Sequence, residues 1–279
     1  MSRTVHPPRL MATLLFVAAL LTGCQSAPPI APATSQSAPS SETRQVLAPT
    51  GALRIAVYPG SPTSLVRRPG SEEMRGVTVD IGREMGSRLG VPARIVEFER
   101  VQQVVDALQT GQADMTITNA TAARAKLVDF TEPLVALELG YLVPAGSALA
   151  TMAEVDQPGI RVGVSQGSSS QAVLGRSFQH ATLVAAPSLD SAAEMLRDRR
   201  IEAFATNKGI LFQLADSVPG ARVLDGRWGT ESLAIAVPQG RERGRTWLEQ
   251  FAASARDQGL VVRAAERAGL RGLAAPESR

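Results

Sequence analysis

The residue best suited to chemistry with a small anion is Arg124. It follows Asp114–Thr118, which alternates apolar and polar side chains at the two-residue period of a strand. Asn119, Thr121 and Arg124 therefore lie just past the carboxyl end of that strand, where open α/β sheets hold ligands. A guanidinium at that place offers a rigid fork of donors to a carboxylate or phosphate. The same residues have a plainer use. Asn119 and Thr121 can cap the next helix, with Arg124 a surface charge. The stretch alone leaves both uses open.

Few other side chains point to catalysis. Of two histidines, His6 lies at the extreme amino terminus, and His180 has no Cys, Asp or Glu at ligand spacing. Neither a metal site nor a Ser-His-Asp triad is expected, and no cofactor is implied. The single cysteine, Cys24, has no disulfide partner within the chain.

The first residues read as a targeting segment. Arg3 and Arg9 make a basic start, and Leu10–Leu20 is an apolar run too short to span a membrane comfortably. The formal net charge of +3 includes these two arginines, so without them it stands at +1, which is no argument for nucleic acid. Leu21-Thr22-Gly23-Cys24 resembles the lipobox of bacterial lipoproteins, which are cut before the cysteine and lipidated on it. That resemblance implies an extracytoplasmic protein on the periplasmic side, anchored by acyl chains at Cys24 without a spanning helix. The plainer alternative is an ordinary signal peptide with an incidental cysteine. Gln25–Ser41 is rich in Ala, Pro and Ser, has no apolar periodicity and reads as a tether, with folding expected to begin near Gly51.

The elements that must position Arg124 come in two sets that echo each other. Leu53–Val57 and Ile160–Val164 are apolar runs of strand length, each followed two residues later by Gly-Ser. Val104–Leu108 leads to Asp114–Asn119 just as Ala192–Leu196 leads to Glu202–Asn207, and both copies end in Thr-Asn. The repetition implies two lobes of similar βαβ build. Helical faces lie between the strands: Ile81, Met85 and Leu89; Val101, Val104, Val105 and Leu108; Leu189, Ala192, Ala193 and Leu196; and Trp247, Leu248 and Phe251 in Arg241–Arg256. Such alternation gives mostly parallel sheets flanked by helices. Asp114 and Glu202 fall at strand starts, away from the proposed ligand edge, and Glu231 is a carboxylate with no evident place. Gly140–Val143 and Ser232–Val237, each bounded by a Pro, suit the two strands by which a chain crosses into a second lobe and returns, with hinge bending as the motion.

Together these stretches resemble the family 3 bacterial extracellular solute-binding proteins of ABC importers for polar amino acids. The carriers are Gly51–Val57, Arg75–Gly90, Val104–Met115, Ile160–Ser170 and above all Arg-Ala-Lys-Leu-Val-Asp-Phe-Thr-Glu-Pro-Leu at Arg124–Leu134. The resemblance implies a type II periplasmic-binding fold. Its segments are a signal peptide at 1–23, a tether at 24–50, a first lobe at 51–140 and a second at 141–235. A return to the first lobe at 236–272 and a tail at 273–279 complete the chain.

It further implies that Arg124 holds a ligand carboxylate, assisted by Thr121 and Asn119. Tyr58 and Ser61 would wall the site, and Ser168 and Ser169 at a helix start would add hydroxyls and amides. Asn207 stands where many relatives carry an aspartate for the ligand ammonium. A free α-amino acid and a carboxylate without an amine therefore both stay open. Only Ala122 and Ala123 separate Thr121 from Arg124, a shorter spacing than usual in the family. The implied function is binding, not catalysis, with a small carboxylate-bearing solute and a membrane permease as partners and a monomer as the state. A dehydratase-like enzyme on the same fold, or a solute sensor for a signalling protein, are the alternatives.

Overall fold

The computed structural model describes residues 38–68 and 70–275. Cys24 and the expected targeting segment lie outside them.

Order begins before Gly51. Ser40 caps α1, Ser41–Leu47, its hydroxyl accepting from the Thr43 amide at 3.0 Å. Leu47 is wholly buried against the carboxyl-terminal helices, and its carbonyl accepts from Arg241 Nη1 at 2.8 Å. The end of the expected tether is thus part of the first lobe. The Ala/Pro/Ser bias stops at about Ser41, and Thr43 and Leu47 supply a short apolar face that composition alone did not reveal.

The first lobe continues through β1 (Leu53–Val57), the short hairpin β2 (Val66–Arg67) and β3 (Met74–Arg75), α2 (Val77–Leu89), β4 (Ala93–Glu97), α3 (Val101–Gln109), β5 (Thr116–Asn119) and β6 (Val128–Phe130). Strands β1 and β4 pair in parallel, and a parallel bridge from Ile55 to Met115 brings the approach to β5 alongside β1. The α2 helix buries the expected face of Ile81, Met85 and Leu89 and stops at Gly90, whose φ of 70° is the left-handed cap that glycine takes without strain.

The long strand β7 (Val135–Val143) enters the second lobe. There follow β8 (Arg161–Ser165), α4 (Ser169–Ser177), β9 (Thr182–Ala186), α5 (Leu189–Arg197), β10 (Ala203–Asn207), α6 (Lys208–Ser217) and β11 (Arg222–Val223). Strands β9, β8 and β10 are parallel neighbours, and β7 runs antiparallel to β10. The chain returns on β12 (Gly229–Pro238) and ends in α7 (Glu242–Asp257) and α8 (Leu260–Ala268) on the first lobe. The crossover strands β7 and β12 pair antiparallel from Val135–Leu233 to Leu139–Gly229; β7 is longer than expected by Val135–Leu139, and β12 gains Gly229, Thr230 and Glu231 at its start.

Apolar residues cluster on both faces of each lobe's sheet. The echo between lobes reaches the ion pairs. In the first lobe the Arg54 amide, Nε and Nη2 all donate to the Asp114 carboxylate at 2.8–2.9 Å. In the second, the Arg161 amide, Nε and Nη2 donate to Glu202 at 2.6–3.1 Å. Asp114 and Glu202 thus lock strand starts, at the end opposite Asn119 and Asn207.

Candidate functional site

The cleft between the lobes is lined from the carboxyl ends of β5, β8 and β10, the loop after β1, and the crossover strand β12. Its free space is about 30 Å3. The lobes touch around it. Asn119 Nδ2 of the first lobe donates to Ser169 Oγ of the second at 3.1 Å. Tyr58 packs against the apolar cluster that holds Leu189. Gly167, at φ +73°, lets the β8–α4 loop approach α3 so closely that a Cβ there would lie 2.6 Å from Gln102 Cβ.

Arg124 sits in a 3-10 turn, Arg124–Lys126, where a helix was expected. The Arg124 amide donates to Thr121 Oγ1 at 3.2 Å, tying Thr121 to the start of this turn. The guanidinium is folded back into the cleft and is only 8% exposed. Its Nη1 donates to Thr118 Oγ1 at 2.7 Å and to the Asn119 carbonyl at 3.4 Å. Its remaining nitrogens donate to no group among the described residues, and no carboxylate there lies within 4.0 Å. Burial pushes its pKa down, with Glu231 and Tyr58 acting against that shift. The result is a buried cation aimed at the cleft and short of acceptors.

Asn119 is spent on structure at both ends. Its Oδ1 accepts from the Ser232 amide at 3.2 Å, and its Nδ2 reaches Ser169. Tyr58 is half-buried on the cleft wall; burial raises its phenol pKa, and the Ser61 and Thr63 hydroxyls lower it. Ser61 is fully buried behind that wall, bonded to Thr63 Oγ1 at 2.8 Å, and Thr63 takes the lining place. Ser168 caps α4 by accepting from the Gln171 amide at 3.1 Å, and both Ser168 and Ser169 line the cleft.

Asn207 lines the cleft too, with both polar atoms committed. Oδ1 caps α6 through the Ile210 amide at 3.0 Å, and Nδ2 donates to Glu231 Oε1 at 2.8 Å. Glu231 is the carboxylate without an evident place in the sequence. Asn207 pairs with Leu139, Leu139 with Gly229, and Glu231 stands two residues along β12, so all share one face of the sheet. Glu231 is 7% exposed. Burial pushes its pKa up to about 7 against the pull of Arg124 and Asn207.

Sequence reasoning also missed Thr63, Thr118, Ser165, Ser170 and Thr206, which line the cleft. The signal for Thr118 and Thr206 was present: they are the threonines of the two echoing Thr-Asn pairs. Among the described residues no three His, Cys, Asp or Glu side chains cluster as metal ligands, and no helix is long and apolar enough to cross a membrane.

A sequence model for bacterial extracellular solute-binding proteins, family 3, matches residues 53–268. The chain belongs to that family. Within it, the ABC transporter glutamine-binding protein GlnH of Bacillus subtilis (strain 168) is 23% identical over 180 residues. That match covers 63% of this chain and 66% of the relative, just under two thirds of its length. Solved structures repeat the fold. The ancestral amino acid-binding protein AncCDT-1, a precursor of cyclohexadienyl dehydratase, superposes with a TM-score of 0.71 at 20% identity, over 81% of this chain and 98% of that one. The putative binding component of an ABC transporter from Wolinella succinogenes, complexed with lysine, gives 0.69 at 22%, over 78% and 95%. A solute receptor for L-cysteine of Neisseria gonorrhoeae gives 0.72 at 23%, over 81% and 92%. The chain has the type II periplasmic-binding architecture that its family resemblance implied.

Proposed function

We propose that this chain is the solute receptor of an ABC importer, capturing an amino acid or a close carboxylate-bearing relative between its lobes. The observation that carries the reading is Arg124. A guanidinium 8% exposed, without a carboxylate partner and facing a cleft of hydroxyls, suits a ligand carboxylate, which would accept its two free donor edges. The Ser169 and Ser170 amides at the start of α4 favour the same charge. Lobe closure brings the two sets of groups onto one solute, and a closed receptor is the form a permease would read. Micromolar capture needs about 8 kcal/mol, which several charge-assisted hydrogen bonds in a dry cleft supply.

The same reading places the protein on the periplasmic side, held to a membrane by acyl chains on Cys24 and acting as a monomer. Radiolabelled palmitate carried by the wild-type chain and lost in Cys24→Ser tests the anchor.

The receptor reading is tested by thermal shift with amino acids, their deaminated counterparts and small dicarboxylates, since a ligand bound only by the folded state raises Tm. The shift is expected in the wild type and lost in Arg124→Ala. A full shift in Arg124→Ala would refute the assignment. One observation favours a second reading: Glu231, at a pKa of about 7, is a general acid of suitable strength inside the cleft. A dehydratase would turn over a carboxylated ring substrate, whereas a receptor returns its ligand unchanged; mass analysis of the released ligand separates the two.

A further inference from the structure

The Arg124 reading accounts for one end of a ligand. The cleft holds a second charged group of opposite sign, Glu231, and its surroundings specify what it meets. Its Oε1 accepts from Asn207 Nδ2 at 2.8 Å. Its Oε2 has no partner among the described residues, and no Arg, Lys or His nitrogen there comes within 4.0 Å of either oxygen.

Neither structural use of a buried glutamate fits that arrangement. As half of an internal ion pair it would sit against Arg124, and it does not. As a neutral acid it would carry a proton on Oε2 with no acceptor to receive it. A buried carboxylate with one lone-pair set filled by an amide and the other turned to a cleft is a receptor for a cationic donor.

The remaining lining narrows the ligand. Among the described residues, Arg124 and Glu231 are the only charged side chains on the cleft wall; the rest are hydroxyls, one amide besides Asn207, and apolar groups such as Ile117, Ile210 and Leu233. If Arg124 takes the carboxylate and Glu231 the ammonium, no charged group remains for a charged side chain. The lobes already meet beside the cleft, Asn119 Nδ2 to Ser169 Oγ at 3.1 Å, an arrangement that disfavours a long side chain.

Building on the carboxylate role of Arg124, we infer that Glu231 is the ammonium-recognising residue of the cleft and that its ligands are free α-amino acids with short, uncharged side chains. Asn207 is a positioning residue. It holds the Glu231 carboxylate from β10, so the negative charge is supplied by the crossover strand β12. Bis-acids and deaminated acids are poor ligands because they leave Glu231 desolvated and unpaired.

The test is calorimetric titration of the purified full-length chain with L-alanine, L-serine and L-cysteine, with L-arginine and L-glutamate, and with L-lactate as the deaminated counterpart of alanine. The wild type is expected to bind at least one short neutral amino acid and to prefer alanine to lactate by at least about a hundredfold, the worth of a lost charge-assisted pair. Glu231→Gln is expected to lose at least about tenfold for the amino acid while lactate binding holds or improves. The exchange Glu231→Gln with Asn207→Asp moves the carboxylate by one hydrogen bond, keeps a good cap on α6, and is expected to recover part of the amino-acid affinity. A structural glutamate would show no such recovery and no change in the alanine-to-lactate ratio. Unchanged amino-acid affinity in Glu231→Gln, or tighter binding of arginine or glutamate than of every short neutral amino acid, overturns the inference. These outcomes are separate from failure at Arg124. Loss of all binding in Arg124→Ala with an indifferent Glu231→Gln removes only the ammonium assignment, and intact binding in Arg124→Ala removes the carboxylate site itself.

Discussion

Asn207 donates to Glu231 at 2.8 Å from the neighbouring side of strand β7, joining the end of the second lobe's central strand to the crossover that leads back to the first. The contact therefore lies beside the two crossover strands, where hinge bending is expected.

Binding of an amino acid is expected to depend on pH through Glu231. Its carboxyl titrates at about 7 without ligand, and only the anion pairs with an ammonium. The charged or titratable groups facing it are Arg124 and Tyr58, and the described histidine, His180, is exposed on the second lobe beside Asp156. Affinity should therefore fall by about tenfold for each pH unit below 7 and level off above about 8. Titration of L-alanine at pH 5.5, 6.5, 7.5 and 8.5 measures it, and in Glu231→Gln the slope should vanish.

The same carboxyl lowers stability. A folded pKa raised from 4.5 to about 7 means the unfolded chain releases the proton first, so stability is full below 4.5 and declines as pH rises through 7. The loss by pH 8 is about 3 kcal/mol. Glu231→Gln should thus raise Tm at pH 8, by several degrees, and leave it nearly unchanged at pH 4.5. Denaturant melts of both chains at the two pH values check this.

Closure depends on Gly167. Its positive φ and the 2.6 Å approach to Gln102 leave no room for a side chain when the lobes meet. Gly167→Val should hold the cleft open and weaken ligand binding by about tenfold or more. Small-angle scattering with saturating ligand should then give the radius of the open form, where the wild type contracts.

Asp114 is wholly buried between Arg54 and Arg241. Burial pushes its pKa up, yet hydrogen bonds from both arginines outweigh that and hold it below the usual carboxylate range. Its contribution is present at neutral pH and is lost on acidification through its depressed pKa. Asp114→Ala leaves two partly buried guanidinium groups unpaired and should cost about 3–5 kcal/mol, seen as a lower midpoint in urea. Leu47→Ala, in the helix ahead of the first strand, should cost about 2–5 kcal/mol, because a chain cut at residue 51 would lack part of its core.

The architecture was legible because it is repeated. The runs Leu53–Val57 and Ile160–Val164, the Thr-Asn ends and the amphipathic faces all became the elements they suggested. The α1 helix was not legible: one and a half turns with Thr43 and Leu47 inward carry too little periodicity to stand out beside an Ala/Pro/Ser stretch. At the site, Arg124 was legible from its place after a strand. Glu231 was not, because its position follows from register across three strands, a long-range pairing that no local pattern encodes. Asn207 was expected at the ligand; it caps α6 while also holding Glu231.

The most direct measurement is a crystal structure of the chain with the best-binding amino acid of the titration panel. The expected result is a single ligand in the interlobe cleft, its carboxylate at about 2.7–2.9 Å from the Arg124 guanidinium and its ammonium at a similar distance from Glu231. A ligand bound elsewhere, or held in the cleft with its carboxylate turned away from Arg124, would contradict it.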